Sequence, residues 1–302
     1  MKVLVTGGAG FIGSHIVDLL IQNRHEVVVV DNLSTGNRKN ISGNIKFYET
    51  DILDPCLAEI FDSERPECVI HQAAQANAQK SIEQPAFDGT VNIIGSINVL
   101  ENCKNYGTKK IIYASSAAVY GNPVSLPITE QHPVCPISNY GVSKHTVEHY
   151  IEIYAQLYGI KYTILRYANV YGTRQNCGGE GGVVSIFFDR LKKGDQVCIY
   201  GDGGQTRDFV YVKDVAQANI AAMMHTVNDT VNISTCKTTQ ITQLFYILKS
   251  LIVSEAQPIN MPAKQGDIRN SCLDNSKALT LLGWKPIYSL ETGLTEMADY
   301  VI

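Results

Sequence analysis

The segment Lys2-Val3-Leu4-Val5-Thr6-Gly7-Gly8-Ala9-Gly10-Phe11-Ile12-Gly13, residues 2–13, leads from an apolar run through spaced glycines into a helical pattern. Lys2 to Thr6 reads as a strand, and Phe11 to Gln22 carries Ile12, Ile16, Leu19 and Leu20 at helical spacing. Glycines at 7, 10 and 13 permit a tight turn, let backbone N–H groups approach a pyrophosphate, and let the helix pack on the strand. The helix N-terminus adds its partial positive charge. A glycine pattern alone is weak evidence, since a plain tight turn would account for it. Asp31 strengthens the reading. It follows the run Glu26 to Val30, 18 residues after Gly13, close to the ~20-residue spacing at which a carboxylate accepts from a ribose 2′-hydroxyl. That carboxylate would repel a 2′-phosphate, and Asn32 rather than a basic residue follows it, so NAD is expected rather than NADP. Arg38 and Lys39 read as solvated loop charges.

The rhythm continues outward. Ile45 to Glu49, Cys68 to Gln72, Lys110 to Ser115 and Tyr162 to Tyr167 read as strands; Val91 to Asn105 and Tyr140 to Tyr158 read as helices, the second ended by Gly159. Alternating β and α units predict an α/β fold: a doubly wound parallel (Rossmann) sheet with a smaller α/β substrate-binding lobe. The expected division is a dinucleotide domain over residues 1–168, with the chain returning to it near 208–236, and a lobe over 169–302. Helices are expected near 241–253 and 276–282, and the glycine-rich stretch 177–182 reads as a mobile loop.

Composition excludes several classes. With 302 residues, a net charge of −4 and 45% hydrophobic residues, the chain is an ordinary globular one with no electrostatic pull toward nucleic acid or anionic lipid. No apolar run approaches the ~20 residues of a membrane span. Met1 leads directly into the first strand, which leaves no room for a signal peptide. Eight scattered cysteines without a CxxC pair suit reduced thiols in a cytoplasm better than a disulfide framework or a metal site.

Pro136-Ile137-Ser138-Asn139-Tyr140-Gly141-Val142-Ser143-Lys144 places Tyr140 and Lys144 four apart, on one helix face. An isolated pair of this kind is commonly a half-buried tyrosine beside a solvated lysine. A phenol at its reference pKa of ~10 is a poor base at neutral pH. One ammonium ~6 Å away, at an effective dielectric of ~20, contributes roughly 3 kcal/mol, about two pKa units. Oxidised nicotinamide would supply a second cation, so Tyr140 is expected to act as a base mainly while NAD⁺ is bound.

Six stretches in this order, TGGAGFIG (6–13), Asp31, HQAAQ (71–75), YASSAAVYG (113–121), YGVSK (140–144) and RYANVYG (166–172), resemble the extended short-chain dehydrogenase/reductase family. The likeness lies in its nucleotide-sugar epimerase/dehydratase branch, nearest to UDP-glucose (UDP-galactose) 4-epimerases, and spans essentially the whole chain. It implies a seven-stranded Rossmann sheet, tightly held NAD, and a homodimer paired through the helices at 91–105 and 140–158. It implies NAD-dependent 4-epimerisation of a UDP-hexose. Ser116, Tyr140 and Lys144 are then the catalytic set, with Ser116 and Tyr140 on the sugar and Lys144 also on the nicotinamide ribose. Cofactor contacts are implied for Gly7, Gly10, Phe11, Ile12, Gly13, Asp31, Asn32, Asp51, Ile52, Ala73 and Asn92.

The same resemblance places Asn169 on the substrate diphosphate, Arg207 and Arg269 on its phosphate and ribose groups (a surface ion pair being the plain alternative for either arginine), and Asp267 on the ribose. Val183, Val184 and Tyr200 are expected around the uracil, with a plain core role as the alternative. Ser271 stands where a tyrosine would exclude 2-N-acetyl sugars, so both UDP-glucose and UDP-N-acetylglucosamine are expected substrates. The sugar dehydratases carry an acid and a base at the two positions after the active-site hydroxyl; here they are Ala117 and Ala118. A methyl group cannot move a proton, so elimination is disfavoured. Thr173 and the segment Gln79-Lys80-Ser81 depart from the family pattern. A different sugar-nucleotide reaction (4-keto reduction, or epimerisation of UDP-glucuronate) stays open, as does a non-catalytic dinucleotide sensor or RNA-binding relative. Retention of Ser116, Tyr140 and Lys144 together argues against the last.

Overall fold

The structure is a computed structural model and describes residues 1–43, 45–176, 181–226, 228–263 and 268–301. The first half alternates as read: β1 (Lys2–Thr6), α1 (Phe11–Gln22), β2 (Glu26–Asp31), β3 (Lys46–Glu49), α2 (Leu57–Glu64) and β4 (Cys68–His71). Two short helices, α3 (Ala78–Glu83) and α4 (Pro85–Gly89), then lead through a π-helical turn (Thr90–Ile94) into α5 (Gly95–Tyr106). After these come β5 (Lys110–Ser116), α6 (Asn139–Tyr158) and β6 (Lys161–Tyr167).

Beyond residue 168 the strands shorten: β7 (Asn169–Tyr171), α7 (Val183–Lys193), β8 (Val197–Tyr200), β9 (Thr206–Arg207), β10 (Phe209–Tyr211), α8 (Val212–Met224), β11 (Asp229–Ile233) and β12 (Thr239–Gln240). The chain finishes with α9 (Ile241–Ile252), β13 (Pro258–Met261), α10 (Ser276–Leu282) and α11 (Leu290–Val301). Helices α2, α3, α4, α7, α8 and α11 were not expected from the sequence, although Leu57, Ile60 and Phe61 carry a helical apolar spacing. Most of the glycine-rich stretch, residues 177–180, lies outside the described residues.

The central sheet has seven strands in the order β11-β6-β5-β4-β1-β2-β3. Every pair in it is parallel, from Val3↔Val27 between β1 and β2 to Val231↔Leu165 between β11 and β6. A parallel strand covered on both faces has no polar side, which is why Val27 to Val30 run on without a break. One face packs against α1 and α8 through Val3, Val5, Ile16 and Val215; the other packs against α2, α5 and α6 through Leu4, Phe61, Val99 and Val147. A third core joins α7, α9 and α11 through Phe187, Phe245 and Leu294.

The strand order reverses between β1 and β4, where α1 and the segment after β4 leave toward opposite faces. A crevice opens at such a switch point, outside the carboxyl ends of the strands. That is where the site lies.

Candidate active site

A cleft of about 910 Å³ occupies this position, floored by the ends of β1, β2, β4, β5 and β6. Gly7, Gly10, Phe11, Ile12 and Gly13 form one wall. Two of the glycines are dictated by contact. A Cβ on Gly13 would lie 2.1 Å from the Gly7 carbonyl oxygen, and one on Gly7, at φ +66°, would lie 2.7 Å from the Ala73 nitrogen. The turn thus brings bare backbone to the cleft at the N-terminus of α1, a cradle suited to a diphosphate.

Asp31 ends β2 and is buried. Its Oδ2 accepts from Ala9 N–H and its Oδ1 from Leu33 N–H, both at 2.8 Å. Burial pushes its carboxyl above the ordinary value, against the pull of these donors. The backbone donors fix the carboxylate at the cleft edge and use part of its roughly four acceptor positions, leaving capacity for ribose hydroxyls. Asn32 donates to Asp51 at 2.6 Å, and Asp51, Ile52 and Ala73 also face the cleft. Cradle and carboxylate together fit an adenine dinucleotide.

The opposite wall belongs to β5 and α6. Ser116 closes β5, and its Oγ accepts from Ala118 N–H at 3.1 Å as the chain turns through Ala117 and Ala118. All three line the cleft, as does Tyr140 in the first turn of α6. The helix start is fixed from three sides. Ser138 caps it by accepting from Gly141 N–H at 3.1 Å, and the buried Ser81 accepts from Tyr140 N–H at 3.1 Å. A Cβ on Gly141 would lie 2.5 Å from the Ala118 carbonyl oxygen, so glycine there lets the helix press against the β5 turn. This close approach brings Ser116 and Tyr140 to one wall.

Lys144 stands one turn behind, 3% exposed, its Nζ donating to the Ala114 carbonyl at 2.9 Å. It lies 5.9 Å from the Tyr140 ring centroid. Beneath the wall, the buried Glu148 accepts from Ser115 Oγ at 2.6 Å and from Arg166 Nε and Nη2 at 2.9 and 2.6 Å. Burial would raise the Glu148 carboxyl, but Arg166, His145 and Ser115 hold it down to about 2. His71, bonded to Thr6 and Ser96, is pushed down to about 3 by burial and by the Lys144 charge, so its imidazole is neutral.

Other expected residues are placed variously. Asn169, Arg207 and Ser271 line the cleft. Asn92 does not. It is buried within the π-helical turn, accepting from Gln75 N–H at 2.8 Å and donating to Ser143 Oγ at 3.0 Å, so it ties the segment after β4 to α6. Val184 packs in the third core, with Val183 partly buried against it. Val183, Tyr200 and Arg269 stand outside the lining. Arg269 is engaged at the surface by Asp202, Nη1–Oδ1 2.6 Å and Nη2–Oδ2 2.8 Å. Asp267 lies outside the described residues.

Thr173, noted in the sequence as a departure from the family pattern, lines the cleft with Arg174, and sequence reasoning did not find Met297 and Tyr300, which line it too. The last two sit on α11, where the only local signal was an apolar face. Among the described residues no group of three or more His, Cys, Asp or Glu side chains could hold a metal ion, and no helix is long and apolar enough to cross a membrane.

Comparison with known proteins agrees with this geometry. The sequence profile of the NAD dependent epimerase/dehydratase family matches residues 3–234. The crystal structure of a UDP-glucose 4-epimerase from Thermotoga maritima, solved with UDP-glucose, superposes with a TM-score of 0.98 at 48% identity, covering 100% of this chain and 98% of that one. A Thermus thermophilus UDP-glucose 4-epimerase in complex with NAD gives 0.95 at 39% identity, covering 99% and 98%. A UDP-N-acetylglucosamine 4-epimerase from Methanobrevibacter ruminantium, bound to UDP-N-acetylmuramic acid, gives 0.94 at 35%, covering 99% and 97%. The profile match spans well over half of the chain, and it falls on the glycine cradle, the Asp31 carboxylate and the Ser116–Tyr140 wall. The chain belongs to the NAD dependent epimerase/dehydratase family.

Proposed function

We propose that this protein is an NAD-dependent 4-epimerase of UDP-hexoses. One observation carries the choice of reaction within the family. Among the described residues lining the cleft the only carboxylates are Asp31 and Asp51, both at the β2–β3 end, while the methyl groups of Ala117 and Ala118 lie beside Ser116 and Tyr140. Among the described residues no carboxyl group lines the sugar end of the cleft to lose or accept a proton, so elimination of water finds no acid–base pair there. Oxidation and reduction at one carbon need only the hydroxyl pair.

In this reading Ser116 and Tyr140 hold the sugar C4 hydroxyl, and Tyr140 takes its proton. Lys144, charged and buried behind the phenol, favours the phenolate. NAD⁺ held by the glycine turn and Asp31 would supply the hydride acceptor for oxidation at C4 and the hydride donor for its reversal. Tyr140 then gives the proton back to the new C4 oxygen. Asn169 and Arg207 hold the diphosphate, the guanidinium fork suiting phosphate oxygens. Arg269 joins them only if it leaves Asp202. The sugar must turn over between the two transfers, and small residues around it (Ala117, Ala118, Ser271) leave room for that.

The small side chain of Ser271, 8% exposed at the cleft edge, favours admission of 2-N-acetyl sugars as well. We further propose a dinucleotide-binding unit of residues 1–168 with 208–236, a substrate lobe formed mainly by the rest, and residence in the cytoplasm. A homodimer is proposed through the helices at 91–105 and 140–158: α6 carries the exposed Val142, Ile153 and Leu157, and the turn leading into α5 carries the exposed Ile94.

Proton NMR of the purified protein with UDP-galactose, and separately with UDP-N-acetylglucosamine, tests the reading without added cofactor. The C4 epimer is expected from each. If neither sugar changes even after NAD is supplied, the epimerase reading fails; if only UDP-galactose changes, Ser271 does not admit the N-acetyl group.

A further inference from the structure

The Tyr140–Lys144 pair serves only while the ammonium stays charged and stays beside the phenol. Burial works against the first requirement, because a desolvated ammonium tends to lose its proton. The partners of Lys144 include the Ala114 backbone carbonyl and two aromatic faces. The nearer face is not that of Tyr140. The ring centroid of Tyr113 lies 5.0 Å from Lys144 Nζ, against 5.9 Å for Tyr140. Tyr113 is 1% exposed and packs on β5 with Val147 and Ile151 of α6, so its ring cannot swing away. Its hydroxyl oxygen is buried and finds no hydrogen-bond partner among the described residues. A buried hydroxyl left unpaired is unfavourable, so the use of this side chain lies in its ring.

We propose that Tyr113 is a positioning residue of the reaction, its ring face holding the Lys144 ammonium by cation–π attraction so that the charge stays against the Tyr140 phenol. A cation within about 6 Å of a ring centroid is attracted to its negative face, and the attraction is strongest where water is excluded. The inference rests on the catalytic reading of Tyr140 and Lys144 given above.

The charged and titratable neighbours leave this pair in control of its own pH response. His71 of β4, its ring 5.7 Å from that of Tyr113, is neutral throughout the working range. Glu148 of α6 is bound by Arg166 of β6. Asp88 of α4 accepts from Gln75 and Asn92. Burial, with smaller contributions from Tyr140, Glu148 and Asp88, pushes the Tyr113 phenol well above its ordinary value, so it does not ionise.

The test uses the holoenzyme and measures kcat, KM and thermal midpoint for UDP-galactose across pH in Tyr113→Phe, Tyr113→Leu, Tyr113→Met and Lys144→Met. Tyr113→Phe keeps the ring and discards the unpaired hydroxyl: kcat within about twofold of the parent and an equal or higher midpoint are expected. Tyr113→Leu and Tyr113→Met keep an apolar filling without a π face. For these kcat should fall about tenfold with KM nearly unchanged, and the limb of the pH profile that reports the base should move to higher pH. The methionine variant guards against a leucine protein too unstable to assay. Profiles of both variants superimposable on the parent's, or a loss in Tyr113→Phe as large as in Tyr113→Leu, would overturn the proposal. Activity retained in Lys144→Met would overturn the catalytic reading and this inference together. An inactive Lys144→Met beside an unmoved Tyr113→Met would sink this inference alone.

Discussion

Glu148 shows how much of the active-site wall depends on one buried side chain. It is 2% exposed, and its partner Arg166 is 6% exposed and reaches on to Tyr120 at 3.0 Å. Through Ser115 the pair holds the end of β5, one residue from Ser116. Removing one partner of a buried ion pair strands the other's charge, whereas removing both does not. Glu148→Gln is therefore expected to lower stability by about 3 kcal/mol, measured by urea unfolding. Glu148→Gln with Arg166→Met should recover part of that loss. Equal stability of the single variant and the parent would contradict the pairing argument. His71 illustrates a quieter dependence: it joins Thr6, which accepts from Ala73 N–H at 3.3 Å, to Ser96 of α5, linking the segment after β4 to the glycine turn.

At the scale of elements, the contact between the β5 turn and the start of α6 decides whether there is a site. The serine at the end of β5 and the tyrosine of α6 come from separate elements, and their spacing is set by how closely Gly141 approaches Ala118 O. A methyl group at 2.5 Å must displace either the helix or the turn. A misplacement on the scale of 1 Å can cost up to about 10²-fold in rate. Gly141→Ala is expected to lower kcat at least about tenfold while the thermal midpoint changes little, since the first turn of α6 can shift without unfolding its core. Steady-state rates beside a melting curve check this. A kcat close to the parent's would mean that the approach is not what aligns the pair. The same reasoning explains Gly13, whose Cβ would strike Gly7 O, but there the expected casualty is the cofactor cradle.

For the molecule as a whole, buried titratable groups set the acid limit. His15, bonded to the Thr173 carbonyl at 3.0 Å, is pushed down to about 4 by burial, and His71 to about 3. Unfolded, both would titrate near 6.5. Their folded values are depressed, so below 6.5 the unfolded chain binds more protons. The stability they contribute is fully present above pH 6.5 and is lost as pH falls toward 4 and 3. Glu148 adds a second loss from 4.5 down toward 2. Asp31, Asp208 and Asp214, raised by burial, act in the opposite sense and regain some stability as they protonate. The urea midpoint should therefore decline between pH 7 and 5, before ordinary carboxylates titrate, and His15→Asn should flatten the decline. A midpoint constant over that interval would refute the histidine account.

Much of this was legible in the amino-acid order. The glycine turn, the Asp31 spacing and the valine runs were readable because each is local: a φ requirement, a fixed offset, a strand without a polar face. The Tyr140–Lys144 offset and the two alanines after Ser116 were equally plain, though the bias against elimination followed only from the resemblance to sugar dehydratases. What the chain order could not supply was the meeting of distant segments. Asn92 and Arg269 match cofactor and substrate positions in sequence, yet packing draws one into a buried tie to α6 and an ion pair draws the other to Asp202. Val184 is apolar in either role, and its helical face sent it into the third core. Tyr113 looked like one more strand residue until β5 and α6 were set side by side and Lys144 came to lie over its ring. Local periodicity and spacing determine which elements form and which chemistry they carry. Burial and long-range packing alone decide which side chains face the cleft, because those depend on contacts between residues far apart in the chain.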